Sequence, residues 1–332
     1  MTKQIILTGD RPTGKLHLGH YIGSLMNRVD LQTSYKQYVM IADWQALTDN
    51  VANPKKIRDS IFDVLLDYLS VGIDPNQTTI FIQSRIPELA ELTMYLLNLV
   101  TIARLGRNPT VKEEMRQKGF NDESSSAGFF MYPVSQASDI TAFMANLVPV
   151  GEDQLPVLEL TNEIVRKFNS TYGNVLCEIK PLLSNVPRLP GLNGKDKMSK
   201  SLNNCIFLSD DEEVLKQKVM QIYTDPNHIK ITDKGSIVGN IVFSYLDAFD
   251  KDKNEVAKLK EQYSLGGLGD IKIKNYLFNV LNNLLTPIRN KRKDLINNKD
   301  YLYEVINKSS IQAREKVQLN MKKVREAIGL NI

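Results

Sequence analysis

Cysteine is scarce in this chain of 332 residues, which contains only Cys177 and Cys205. Two isolated cysteines are too few for the disulfide framework of a small secreted protein. No apolar run approaches the ~20 residues of a membrane span, and the first residues lead into a strand-like run without a signal-peptide pattern. These absences argue against a disulfide scaffold and a membrane protein, and they predict a cytoplasmic protein with reduced thiols.

Neither sign of charge dominates the whole chain, because 42 Lys+Arg and 38 Asp+Glu leave a net charge of +4. The charge is nevertheless uneven. Residues 251–332 contain 17 basic and 9 acidic residues, a net of +8, so the preceding 250 residues carry a net of −4. Individual lysines usually lie on solvated helix faces, but a regional excess attracts a polyanion through its summed field. The last quarter therefore predicts a polyanionic partner.

Histidine is also rare, and two of the three histidines lie in the segment PTGKLHLGH at 12–20. This segment separates a strand-like run from a helical run, and backbone N–H groups at such a turn favour anions. The imidazoles of His17 and His20 can donate hydrogen bonds to phosphate oxygens. Half of a metal site or two ordinary surface histidines are the alternatives. No nearby Cys, Asp or Glu completes a metal site, so no metal ligand set is predicted.

A second cationic segment, KMSKS at 197–201, follows about 180 residues later. It lies on a loop that comes after the Pro- and Gly-containing stretch 181–194. Two ammonium groups three positions apart can close over a pyrophosphate, and a mobile loop can then release it. Alone, the segment could be a basic loop without function. Together with residues 12–20 it indicates a site for a triphosphate.

Strand-like and helical runs alternate through the first half of the chain, which predicts an α/β fold with a Rossmann-like, doubly wound parallel sheet. The predicted strands are 5–8, 38–42, 78–83 and 147–150, and the predicted helices are 18–35, 54–71, 87–105, 127–146 and 155–169. Residues 106–126 interrupt this alternation and resemble a mobile surface excursion. After about residue 207 only helical patterns remain, at 210–221, 239–249, 254–263, 271–290 and 301–328, which predicts an all-helical C-terminal part.

Two further segments carry polar groups at informative positions. Residues 151–154, Gly-Glu-Asp-Gln, follow a predicted strand, where open α/β sheets bind ligands, although acids also simply favour a helix N-terminus. Tyr132, Gln136 and Asp139 stand at i, i+4 and i+7 and share one helix face. A carboxylate on a largely apolar face needs a partner. That partner could be a ligand N–H, a helix cap or a buried polar cluster.

Taken together, these motifs resemble the class I aminoacyl-tRNA synthetases. Residues 17–20 resemble the HIGH motif of that family, and residues 197–201 are an unaltered KMSKS motif. Residues 148–154 and the helix around 132–139 resemble the tryptophanyl branch, and the likeness runs from Ile5 to the helix near Gly329.

The resemblance implies two domains. The first is a catalytic Rossmann-like domain at 1–206 with a connecting insertion at about 106–146. The second is a helical domain at 207–332 that binds the tRNA anticodon, and its last helix is expected to pack back.

The resemblance also implies site residues. The catalytic side chains would be His17, His20, Lys197 and Lys200. ATP would contact Arg11, Pro12, Thr13, Gly19, His20, Gly151, Glu152, Asp153, Leu189, Lys197, Met198, Ser199, Lys200 and Ser201. Asp139 would accept the indole N–H of tryptophan, with Tyr132, Gln136 and Gln154 around the amino acid. The chain departs from the common bacterial pattern at Arg11, at 43–45 (Asp-Trp-Gln) and at Gln136, which bears on how the amino-acid carboxylate is held.

The implied activity has two steps. ATP, with a Mg²⁺ held mainly by its phosphates, activates L-tryptophan to the adenylate, and the tryptophanyl group then passes to tRNA(Trp). The implied assembly is a homodimer. A tyrosyl-tRNA synthetase, a small-molecule nucleotidyl transferase and a non-catalytic RNA-binding relative remain the alternatives at this point.

Overall fold

The computed structural model describes residues 3–121, 124–183, 189–194, 196, 198–200 and 202–330. Five parallel strands form one sheet in the order β3-β2-β1-β4-β5, which confirms the predicted fold class. The strands are β1 Ile5–Asp10, β2 Lys36–Ile41, β3 Thr78–Ile82, β4 Leu147–Val150 and β5 Lys180–Leu183. β5 was not predicted, because this edge strand is mostly exposed and contains Pro181, so it lacks an apolar run.

Helices account for most of the remaining structure. Those before the last sheet strand are α1 Leu18–His20, α2 Met26–Leu31, α3 Asp43–Leu47, α4 Pro54–Val71, α5 Glu88–Leu97, α6 Ile102–Gly106, α7 Pro109–Lys118, α8 Ala127–Ala142 and α9 Leu155–Tyr172. A π-helical turn at Tyr21–Leu25 and 3₁₀ turns at Gln83–Arg85 and Glu152–Gln154 complete this half. The C-terminal region has α10 Glu212–Met220, α11 Ile241–Phe249, α12 Lys253–Leu265, α13 Asp270–Ile296 and α14 Lys299–Ile328.

Both faces of the sheet are buried. Side chains alternate along β2, so Val39 and Ile41 enter one apolar cluster while Tyr38 and Met40 enter the other. The first cluster joins α4 to α13, and the second joins α8 and α9 to α14. The C-terminal helices therefore share their cores with the sheet region. None of the described helices is long and apolar enough to cross a membrane.

Three helical predictions need correction. The run at 18–35 is two short helices around a π-helical turn, and the run at 87–105 is two helices, the second capped by Thr101. The third concerns 106–126, which was predicted as a mobile surface excursion without a helix and contains the ten-residue helix α7. Asn108 caps α7 at its N-terminus, and Gly119 follows its end, so local helix signals were present in the sequence.

Candidate active site

The site forms where the order of the strands in the sheet reverses. β1 lies between β2 and β4. The chain passes from β1 to β2 and β3 on one side and then crosses to β4 and β5 on the other, so a crevice opens beyond the carboxyl ends of β1 and β4. Asp10 and Arg11 lie at the end of β1, and Val150 and Gly151 lie at the end of β4. All four line a cavity of about 370 Å³ at this position.

The two sequence motifs are brought together by a short stretch of backbone pairing. The N–H of Leu18 donates to the carbonyl of Ile206 at 3.0 Å, and the N–H of Leu208 donates to the carbonyl of Leu16 at 3.0 Å. His17 forms an antiparallel bridge with Phe207 between these bonds. The turn at 12–20 is thus anchored to the chain that leaves the KMSKS segment.

Direct contacts also join the motifs. The N–H of Gly19 points to Sδ of Met198 at 3.3 Å, and Nζ of Lys200 donates to the carbonyl of Gly14 at 2.7 Å. Gly14, Met198 and Lys200 border a cleft of about 880 Å³. The predicted site residues that line it are Arg11, Thr13, His17, His20, Met198, Ser199 and Lys200. Lys197 and Ser201 lie outside the described residues. The cleft collects cationic and donor groups of both motifs on one concave surface.

The two histidines are held as neutral rings with a defined tautomer. Nδ1 of His17 accepts the N–H of Gly19 at 3.1 Å, and Nδ1 of His20 accepts the N–H of His17 at 3.3 Å. Burial, helped by His20 and Lys200, lowers the pKa of His17 to about 2. Burial also lowers the pKa of His20 to about 4, against the opposing charge of Asp10. Because both Nδ1 atoms accept, each proton is on Nε2, and the pair offers two neutral N–H donors.

The side chain of Asn204 holds the backbone of the KMSKS segment by hydrogen bonds. Its Oδ1 accepts the N–H of Ser199 at 2.8 Å, and its Nδ2 donates to Oδ1 of Asn193 at 3.3 Å. Gly191 leaves room for this buried amide, because a Cβ at that position would lie 2.1 Å from Nδ2 of Asn204. The carbonyl of Leu189 accepts the N–H of Met198 at 3.3 Å, so the role of Leu189 that the structure describes is to hold the segment.

Gly191→Ala should lower the free energy of unfolding by about 1–3 kcal/mol, the usual cost of overpacking, and should weaken ATP binding a few-fold because Asn204 must release Ser199. Thermal unfolding and an ATP titration measure both effects. Gly128→Ala is the matched control, because its nearest neighbouring atom lies 4.0 Å from the added Cβ. Equal ATP affinity in Gly191→Ala and the unchanged protein would contradict this role of Asn204.

The 370 Å³ cavity at the ends of β1 and β4 is lined by both apolar and polar side chains. Tyr132, Gln136 and Asp139 line it from one face of α8, and Gly151 and Gln154 line it from the turn between β4 and α9. Burial, with the negative charge of the nearby Glu114, raises the pKa of the Tyr132 hydroxyl, so that group remains a neutral donor. The cavity meets the cationic cleft at Arg11, which lines both. A molecule in this cavity would therefore lie next to one in the cleft.

Asp139 contributes a buried carboxyl group to this cavity and is only 1% exposed. Nε2 of Gln83 donates to both of its carboxylate oxygens at 2.9 Å. The amide of Gln83 cannot turn over, because its Oε1 accepts the N–H of Gln45 at 3.1 Å. Burial raises the pKa of Asp139 to about 7, although Gln83 and Gln45 oppose the rise. Asp139 is thus an oriented acceptor with no cation in contact among the described residues.

Sequence reasoning overlooked a charged cluster of Asp10, Arg28 and Tyr68, of which Asp10 and Arg28 line the 370 Å³ cavity. Nη1 of Arg28 donates to Oδ2 of Asp10 at 2.6 Å, and the Tyr68 hydroxyl donates to the same oxygen at 2.8 Å. Burial disfavours the Asp10 anion, but Arg28, His20 and the Tyr68 hydroxyl together outweigh this and hold the pKa of Asp10 far below its usual range. Asp10 therefore supplies a permanent negative charge near His20.

Some predicted ATP contacts lie outside the two cavities, and some residues that shape the site were not predicted from the sequence. Pro12 is buried, and Glu152 and Asp153 are exposed in the 3₁₀ turn before α9. None of these three residues lines either cavity, and neither do the predicted ATP contacts Gly19 and Leu189. Gln83 and Asn204 were not found from the sequence. Gln83 follows the third strand at the carboxyl edge of the sheet, which is a signal that could have pointed to it. Asn204 has no comparable local signal.

The geometry defines a class of protein. A cavity with an oriented carboxylate opens into a cleft with paired histidines and a lysine, at the switch point of a parallel sheet. This arrangement suits an enzyme that places an organic acid against a nucleotide triphosphate.

Comparisons with known proteins agree. The family description "tRNA synthetases class I (W and Y)" matches residues 2–286. The chain is 58% identical to a tryptophan–tRNA ligase of Clostridium longisporum, over 99% of this chain and 98% of that one. It is 57% identical to that of Streptococcus mutans, over 100% and 99%. A Campylobacter jejuni tryptophanyl-tRNA synthetase structure, complexed with ADP and tryptophan, has a TM-score of 0.87, 30% identity and coverage of 98% and 100%.

The chain therefore belongs to the class I tRNA synthetases, in the branch of the tryptophan–tRNA ligases. The tyrosyl alternative is not favoured by these relatives. The family assignment also favours a tRNA synthetase over a small-molecule nucleotidyl transferase.

Proposed function

We propose that this chain activates L-tryptophan with ATP and transfers it to tRNA(Trp). The observation that carries the proposal is the buried carboxylate of Asp139 in a cavity that opens, at Arg11, into the cleft lined by His17, His20 and Lys200. The indole ring fits the apolar wall, and its N–H would donate to Asp139. The amino-acid carboxylate then faces the cleft where the α-phosphate of ATP would lie.

In the first step a carboxylate oxygen of tryptophan attacks the α-phosphorus of ATP, and the bond to pyrophosphate breaks. Nε2–H of His17 and His20 would donate to phosphate oxygens as charge is redistributed, and the ammonium of Lys200, with that of Lys197, would meet the departing pyrophosphate. No covalent enzyme intermediate is required, since positioning and electrostatic stabilisation suffice. Thr13, Gly19, Met198 and Ser199 would border the nucleotide, and Gly151 its ribose.

The magnesium ion and the amino acid would be bound by different groups. Mg²⁺ would enter with ATP and be held mainly by its phosphates, as is usual for this ion. The described residues contain no group of three or more His, Cys, Asp or Glu side chains that would hold it alone. Selection of tryptophan would depend on Asp139, because phenylalanine brings no N–H to this buried acceptor and leaves it with the Gln83 amide as its donor. A site built to hydrogen-bond its substrate can reject an analogue without the donor by ~10⁴–10⁵-fold.

In the second step the ribose 2′-OH of the terminal tRNA adenosine attacks the adenylate carbonyl, and AMP leaves. We assign catalysis to residues 1–206 and anticodon binding to residues 207–332, whose excess of basic residues suits RNA phosphates. We further infer that the protein is a cytoplasmic homodimer. The family resemblance supports both inferences.

Amino-acid-dependent ATP–pyrophosphate exchange, run separately with each of the twenty amino acids, tests the proposal. We expect exchange with tryptophan at a rate far above that with phenylalanine or tyrosine, because the indole N–H would donate to Asp139, whereas phenylalanine has no donor and tyrosine carries its hydroxyl at a different position. Charging of a tRNA(Trp) transcript by the same preparation tests the second step. Exchange with tyrosine alone would overturn the assignment of Asp139, and no exchange with any amino acid would overturn the proposed reaction.

A further inference from the structure

The turn that carries the two histidines is fixed by a carboxylate from outside the two motifs. The N–H of Leu16, one residue before His17, donates to Oδ2 of Asp67 at 2.7 Å. Leu16 and Asp67 are both fully buried. Asp67 belongs to α4, so the start of the turn is tied to a helix that packs beneath it.

That carboxylate is in turn held by the C-terminal region. Nε of Arg292, in α13, donates to Oδ1 of Asp67 at 2.9 Å, and Nη2 of the same guanidinium donates to Oδ1 of Asp63 at 2.6 Å. Arg292 is 7% exposed. Each oxygen of Asp67 thus has its own donor, one from the histidine turn and one from α13. Loss of one member of such a buried pair leaves an uncompensated charge.

Charge links the same carboxylate to the second motif. Burial raises the pKa of Asp67, and Arg292 and the Leu16 N–H oppose that rise. Burial lowers the pKa of Lys200, and the negative charges of Asp10 and Asp67 oppose that change. The Asp67 carboxylate therefore favours the charged form of Lys200 while it holds Leu16 in place.

We propose that Asp67 and Arg292 are positioning residues of the ATP-binding turn: Arg292 holds the Asp67 carboxylate in place, and Asp67 fixes the Leu16 amide and hence His17. The proposal rests on the ATP-dependent activation proposed above. It makes the geometry of the nucleotide cleft depend on a residue of α13, 225 residues away in sequence from Asp67. Neither residue lines the tryptophan cavity. Loss of the pair should therefore act on ATP and leave tryptophan recognition intact.

The test is tryptophan-dependent ATP–pyrophosphate exchange with the full chain, with KM measured separately for ATP and for tryptophan. Arg292→Met should raise KM for ATP about tenfold and leave KM for tryptophan within about twofold, since a misplacement of 1 Å can cost up to ~10²-fold. Asp67→Asn should also raise KM for ATP, because its NH₂ group must face one of the two donors. The double variant Asp67→Asn/Arg292→Met should recover most of the loss, because one amide oxygen then accepts the Leu16 N–H. The carboxylate that remains without Arg292 is Asp63, whose side chain is 33% exposed and stays solvated.

Arg325→Met is the matched control. Arg325 lies in α14 and pairs with Glu91 of α5 at 2.7 and 2.6 Å, so it too joins the C-terminal region to the sheet region. Its loss should lower the melting temperature without changing KM for ATP. Equal increases in KM for ATP in the Arg292 and Arg325 variants would show that the Asp67–Arg292 pair contributes only to overall stability, and would overturn the proposal.

Folding and function can be separated in the same experiment. If Arg292→Met does not fold, Asp67→Asn and the double variant still give the KM comparison, and absence of recovery in the double variant overturns the proposal. If the unchanged protein catalyses exchange and all folded variants have an unaltered KM for ATP, the positioning proposal is overturned and the proposed function stands. A failure of the unchanged protein to exchange at all would instead refute the proposed function.

Discussion

Lys200→Ala should lower kcat for tryptophan-dependent pyrophosphate exchange by ~10²–10³-fold, the usual effect of removing one group that stabilises transition-state charge. The structure places Nζ of Lys200 2.7 Å from the Gly14 carbonyl, at the mouth of the cleft with His17 and His20. Negative charge grows on the departing pyrophosphate, so the ammonium binds the transition state more tightly than ATP itself. KM for ATP should therefore change much less than kcat. Steady-state exchange kinetics at varied ATP measure the two parameters.

Lys216→Ala is a suitable control for that measurement. Lys216 is an exposed lysine of α10 whose ammonium lies over the ring of Phe278, and it does not line the cleft. The control should retain both parameters. A higher KM for ATP with unchanged kcat in Lys200→Ala would mean that Lys200 binds ground state and transition state equally, contrary to the proposed role.

Asp139→Ala should reduce kcat/KM for tryptophan by about 100-fold, because a hydrogen bond to a charged group contributes about 1.5–3 kcal/mol. The indole N–H would then be buried without an acceptor. ATP affinity should not change, since Asp139 lines the amino-acid cavity and not the cleft. Exchange kinetics at varied tryptophan, together with an ATP titration, give both results. An unchanged kcat/KM would remove Asp139 from tryptophan recognition.

The same carboxylate predicts a pH dependence. Burial raises the pKa of Asp139 to about 7, so the free enzyme holds the carboxylate above that pH and the neutral acid below it. Only the carboxylate is a full acceptor for the indole N–H, so kcat/KM for tryptophan should fall as pH decreases from 8 to 6. The pKa values of His17 and His20, about 2 and 4, lie below this window. In Asp139→Asn the fall should disappear, and persistence of the same profile would assign the titration to another group.

Some of this protein could be predicted from local sequence because the chemistry requires particular residues at fixed spacing. Residues 12–20 and 197–201 are of this kind, and so is the shared helix face of Tyr132 and Asp139. The parallel sheet was predictable because its central strands are continuous apolar runs. The helix α7 was missed although its cap residues were visible, whereas the edge strand β5 offered no apolar pattern.

Tertiary structure alone decided which distant groups meet. Gln83 orients Asp139, Asn204 orients Ser199, and Arg292 reaches Asp67 across 225 residues of sequence. Each of these partners is an ordinary polar residue in its own segment, and its role arises only when packing excludes water and brings one donor to one acceptor. Sequence by itself indicated the fold class through periodicity and the two motifs through local residue type, and the family resemblance that these motifs carry implied the type of reaction. The folded chain determined how the motif residues are held, because buried hydrogen bonds form between elements whose approach no local pattern records.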